Sequence, residues 1–104
     1  MAWMLLLLAA VLEIAWAIGL KLTAGFTRLW PSVWTVLAMV LSMTLLSWSA
    51  RTLPIGTAYA VWTGIGAAGT AVLGVYMFGE SVTAARLTGI ALIILGVLLV
   101  RSSG

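Results

Sequence analysis

The sequence predicts an all-α membrane protein with four transmembrane helices per subunit, assembled as an antiparallel dual-topology homodimer. Three observations carry this. First, 64% of the 104 residues are hydrophobic and only 7% are charged, far from the balance of a soluble domain. Second, four apolar stretches, at roughly 3–20, 31–50, 55–78 and 85–100 of a single domain covering 1–104, each suffice to cross hydrocarbon. Third, Glu13 stands alone inside the first stretch. Four short helices without an internal repeat are too few to enclose a site at that depth, and transporters place such a site between two symmetry-related halves. The second half is therefore expected to be another chain. Connecting segments alternate between the two membrane faces, with Arg51 and Arg101 on the N-terminal side and Lys21, Arg28 and Arg86 on the other. Two against three is too even a balance to fix one orientation. A chain that inserts both ways can pair antiparallel, giving the inverted symmetry that larger transporters obtain from fused repeats.

Composition also excludes function classes. With no Cys and no His, disulfides, thiolate chemistry and the usual transition-metal ligand sets are absent, so no metal and no cofactor are expected. Glu13 and Glu80 are the only acids, and only Glu13 lies within an apolar span. One carboxylate does not build a two-carboxylate or metal-assisted active site, so an enzyme is not expected. The net charge of +3 comes from basic residues placed singly at span ends, which mark interfaces with the lipid bilayer and give no patch for nucleic acid. Met1-Ala2-Trp3 carries no basic side chain, and Glu13 interrupts what a signal peptide would keep apolar. The first segment is accordingly expected to be mature structure of a multi-pass protein in the cell membrane, inner or plasma.

In the first span, a charge at mid-bilayer costs roughly 3 kcal/mol on insertion scales, which makes Glu13 a functional candidate by default. Ala9, Ala10 and Ala17 lie within about one turn of it and leave room beside it, and Trp16 at i+3 shares its face. The competing structural reading is a protonated Glu13 that merely joins helices by a hydrogen bond. Leu22 to Arg28 forms a polar connection with Gly25 as its turn residue. Trp30-Pro31-Ser32 opens the second span, since Pro in a first helical turn removes no intrahelical bond and Trp30 and Trp34 suit the headgroup level. Met39 and Ser42 lie inside it. A lone intramembrane Ser commonly bonds back to its own helix, so Ser42 is functional only if it faces Glu13.

Arg51 to Gly56 is a turn in which Pro54 stops one helix and helps start the next. The third span carries Gly56, Gly64, Gly66, Gly69 and Gly74, with Tyr59 and Trp62 on one face at i, i+3. Gly64-Ile65-Gly66 is a site of close helix packing, either alone or together with a hinge, which Gly favours because it gives up about 1 kcal/mol of helix propensity relative to Ala. In the last connection, Gly79 is the expected C-cap, Ser81 or Thr83 the N-cap of the next helix, and Glu80 a solvated loop acid. Gly89 and Gly96, seven residues apart on the fourth span, form a stripe expected to mediate dimerisation.

Glu13, the segments Gly25-Phe26-Thr27-Arg28-Leu29-Trp30-Pro31-Ser32 and Pro54-Ile55-Gly56-Thr57-Ala58-Tyr59-Ala60-Val61-Trp62-Thr63-Gly64-Ile65-Gly66-Ala67, and Gly96-Val97 together resemble the small multidrug resistance family over essentially the whole chain. The resemblance implies an antiparallel homodimer whose membrane Glu binds protons or substrate in exchange. Trp16, Met39, Ser42 and Ala60 to Ala67 resemble the guanidinium-exporter subtype; the quaternary-ammonium subtype generally has a small residue where Trp16 stands. Ala10 departs from the subtype, which commonly has Gly there.

On this reading the chain exchanges protons for guanidinium and small guanidinyl cations. Glu13 is the shared proton and cation site, with Trp16 orienting it through its indole N–H or walling it, Ser42 beside it, and Tyr59 and Trp62 offering cation-π faces. Competition between proton and cation for one carboxylate would provide the coupling. The alternatives are a proton-coupled exporter of quaternary ammonium and lipophilic cations, a proton or cation channel, and a purely structural membrane peptide.

Overall fold

The computed structural model describes residues 1–103. Four α-helices follow one another: α1 (Ala2–Leu22), α2 (Leu29–Ser49), α3 (Ile55–Phe78) and α4 (Ala84–Ser103). All four are long and apolar enough to cross a membrane. Even α4, with 20 residues, extends about 30 Å at 1.5 Å per residue, the thickness of bilayer hydrocarbon.

Local chemistry sets the helix ends. α2 begins two residues ahead of Pro31, because the first four N–H groups of a helix lack intrahelical partners and Pro31 forfeits nothing there. Pro54 immediately precedes α3, and its carbonyl accepts the Ala58 N–H at 2.9 Å. Gly79 closes α3 in the left-handed region at φ +64°. Thr83 caps α4, its hydroxyl accepting the Arg86 N–H at 3.1 Å.

The connection between α1 and α2 is tighter than its single glycine suggests: Ala24, Gly25 and Phe26 all have positive φ, at 50°, 72° and 64°. Buried Thr23 stabilises this run. Its hydroxyl donates to the Leu20 carbonyl at 2.8 Å and accepts the Phe26 N–H at 3.2 Å, while its carbonyl accepts the N–H groups of Thr27 and Arg28.

The helices are arranged in the order α2, α1, α3, α4. α1 packs on both α2 and α3, α2 and α3 meet only marginally, and α4 packs on α3 and reaches α1 through the Arg101 guanidinium, 5.4 Å from the centre of the Trp3 ring. The Cα envelope of 40 × 34 × 16 Å is that of a plate. No residue of α4 is buried, and nothing among the described residues packs over Gly89 or Gly96. The core joins Leu6, Ala9 and Ala10 of α1 to Ala58, Val61 and Trp62 of α3, in the half of the plate nearer the N-terminus. The Ala10 methyl is fully buried in that core.

Gly19 sets the approach of α1 to α2, because a methyl group there would overlap the Thr35 hydroxyl and the Trp34 ring. Gly56 faces open space. Gly19→Ala should therefore destabilise the protein by about 1–3 kcal/mol through overpacking, whereas Gly56→Ala should not destabilise it. Thermal unfolding of the two variants in detergent, each against the parent, measures the difference.

Candidate functional site

Glu13 lies at the inner end of a cleft between α1 and α3. Ala17, Ile18 and Lys21 continue the α1 wall, Thr63, Gly66, Ala67, Thr70, Ala71, Gly74 and Phe78 form the α3 wall, Glu80 stands at the mouth, and the enclosed volume is about 390 Å³. From Glu13 to Lys21 the α1 wall rises about 12 Å. The α3 residues recur at helical spacing, so one stripe of mostly small side chains faces α1.

Glycines shape the floor. A methyl group at Gly66 would overlap the Glu13 carboxyl, and one at Gly69 would overlap Ile14, so these two glycines receive consecutive side chains of α1. Gly64 receives Val97 from α4. α3 remains an unbroken α-helix through Gly64-Ile65-Gly66, and both glycines serve as points of close approach to neighbouring helices. Glu13 is half-buried, and its Oε1 atom is buried without a hydrogen-bond partner among the described residues. In an apolar setting such an oxygen favours any donor that reaches it.

Ser42 and Trp62 stand together beside this floor. The fully buried Ser42 hydroxyl donates to the Ala9 carbonyl at 2.6 Å and accepts the Trp62 indole N–H at 2.9 Å. Ser42 thus bonds neither to its own helix nor to Glu13; it joins α1, α2 and α3 one turn before Glu13. The Trp62 and Tyr59 rings lie 5.7 Å apart at 45°, with Tyr59 exposed beside a groove between α3 and α4. Trp16 packs against the core. Its indole N–H is buried without a partner among the described residues, so the expected hydrogen bond from Trp16 to Glu13 is not made. Trp16, Ser42, Tyr59 and Trp62 lie outside the cleft lining, as do Gly89 and Gly96.

The mouth differs from the sequence expectation as well. Glu80 is ion-paired, accepting Arg86 Nη2 at 2.5 Å, and the same nitrogen donates to the Ala71 carbonyl at 2.8 Å. Across the cleft, the Lys21 ammonium sits 4.9 Å from the centre of the Phe78 ring. Thr63 and Thr70 add hydroxyls to the α3 wall, and Thr70 Oγ1 is buried without a partner among the described residues. Sequence reasoning passed over both threonines. Their seven-residue spacing, on the stripe that carries Gly66, is the signal that would have found them.

Gly66→Ala should separate folding from function. The group its methyl would displace is the end of a flexible side chain, so the helices can stay in place while the Glu13 carboxyl is pushed from its position. On the sequence expectation that Glu13 holds a cation, a correctly folded protein with at least about tenfold weaker cation binding follows, measured by equilibrium titration alongside thermal unfolding.

The small multidrug resistance protein family model matches residues 1–93. The chain is 57% identical over 98 residues to a guanidinium exporter of Citrobacter freundii and to one of Salmonella typhimurium, each match covering 94% of this chain and 93% of the relative. A guanidinium exporter of Escherichia coli strain K12 is 56% identical with the same coverage. A multi-pass protein of the inner membrane and a transporter rather than an enzyme, this chain belongs to the small multidrug resistance family.

Proposed function

We propose that the protein is a proton-coupled exporter of guanidinium and small guanidinyl cations, working as an antiparallel homodimer with Glu13 as the shared proton and cation site. The observation that carries this reading is the Glu13 carboxyl at the inner end of a cleft, with Gly66 making room for it and one buried oxygen unpartnered. The names of the 56–57% identical relatives, guanidinium exporters, supply the substrate class. Guanidinium suits such an acceptor because it is planar, weakly hydrated and able to donate paired hydrogen bonds to a carboxylate.

Coupling follows from exclusion. One carboxylate holds a proton or a cation, and if either loaded form can reorient while the bare anion cannot, inward proton flow drives cations outward. The plate shape supports pairing, since a layer with an open α4 and an exposed Tyr59 is half of an enclosure. In a dimer, the exposed Tyr59 becomes an aromatic face that meets the cation, with the buried Trp62, held by Ser42, packed beside it. Gly89 and Gly96 provide the small-residue contact between α4 helices, and Trp16, one turn after the acid, packs against the core. Gly64 and Gly66, close-packed here, are the positions at which α3 would flex during reorientation.

Glu13→Gln should give a folded dimer that neither binds cations nor transports them; proton-coupled guanidinium uptake by the variant in liposomes would refute the shared site. Guanidinium should drive larger currents than tetraphenylphosphonium under the same proton gradient on solid-supported membranes, and the reverse order would favour the lipophilic-cation reading. A Cys placed at the C-terminus should be labelled from both sides of the membrane in cells, whereas labelling from one side alone would refute dual topology.

A further inference from the structure

The two acids of the chain line one cleft, Glu13 at its inner end and Glu80 at its mouth. Glu80 is held in place there. Its backbone N–H bonds to the Gly74 carbonyl at 3.3 Å, and its carboxylate folds over Gly74, where a methyl group would overlap it. The acceptors at the mouth already bind a guanidinium, that of Arg86, whose Nη2 atom reaches both Glu80 Oε1 and the Ala71 carbonyl.

Arg86 comes to these acceptors from the first turn of α4, where it lines a separate hollow with Val72, Tyr76 and Leu87. Ala71 and Glu80 line the cleft itself. Arg86 is also incompletely satisfied, its Nε being buried without a partner among the described residues. The Glu80 and Arg86 side chains remain 38% and 29% exposed, and an ion pair so open to its surroundings is weak.

We propose that Glu80 and the Ala71 carbonyl form an outer station for planar guanidinium-type cations at the mouth of the cleft, held by Arg86 as a tethered competitor until a free cation displaces it. The proposal rests on the reading of Glu13 as the inner cation site and adds a second binding step on the way to it. Lys21, on the opposite wall, is placed over Phe78 and leaves Glu80 to Arg86.

The test is the guanidinium dependence of transport current in proteoliposomes. Arg86→Gln removes the competitor and should lower the half-saturating concentration by about threefold or more, while Glu80→Gln removes the charge and the paired oxygens of the acceptor and should raise it by a similar factor. Arg86→Lys, which keeps the charge and loses the planar fork, should fall between Arg86→Gln and the parent. A merely structural ion pair would respond in the same direction to loss of either partner. Shifts in the same direction, or no shift in either variant, overturn the proposal.

Titration of guanidinium chloride into detergent-solubilised Glu13→Gln/Arg86→Gln protein provides a measurement independent of transport. Weak binding that disappears on adding Glu80→Gln is expected, and identical isotherms overturn the outer station. Absence of guanidinium current from the parent protein would instead count against the inner-site reading, with this titration still deciding the station.

Discussion

A carboxyl group at the depth of bilayer hydrocarbon can be kept only where the opposite wall makes room for it, and much of the architecture follows from that constraint. At this depth a charged group costs several kilocalories per mole unless a partner, a proton or water compensates it. The wall facing Glu13 has lost its side chain at Gly66, and the next facing position, Gly69, accommodates the neighbouring Ile14. The pair fixes the register of α1 against α3. Substituting a larger residue on α3 would not simply fill space; it would move the one acid within the span.

The second requirement is rigidity beside the acid, and Ser42 supplies it with one hydroxyl. Donating to Ala9 and accepting from Trp62, it satisfies two buried polar groups and ties three helices at one point. Helices in lipid gain no hydrophobic driving force for mutual packing, so close contact of small residues and bonds of this kind set their relative positions. The floor of the cleft is therefore braced on one side and open on the other. The Glu13 carboxyl can shift within the cleft without disturbing the core.

The spans were legible in the sequence because lipid imposes length and apolarity on any helix that crosses it. Their caps were legible at Pro54, Gly79 and Thr83, where local chemistry decides. Helix neighbours were less so, since in a span that is apolar on every side hydrophobic periodicity does not mark the packed face. Ser42 illustrates the limit: its type suggested a polar contact, but whether that contact was its own helix, Glu13 or a distant backbone depended on the rotation of α2 about its axis. Trp16 shares a face with Glu13 by spacing, yet its indole turns toward the core. Glu80 reads as a solvated acid until the fold of the last connection brings Arg86 to it. Gly64 and Gly66 read equally as packing alone and as packing with a hinge, and only the positions of Val97 and Glu13 show what fills the space beside them.

The attachment of α4 mainly to α3 has a consequence for how the molecule is made. Spans leave the ribosome in chain order, and the N-terminal part of a chain begins to fold before the rest is synthesised. The Ser42 junction and the recess for Glu13 draw only on α1, α2 and α3, so they can form before α4 has been inserted. The last helix to arrive contributes little to the interior of its own subunit. It adds, late in synthesis, an apolar surface on which the packing of the first three spans does not depend.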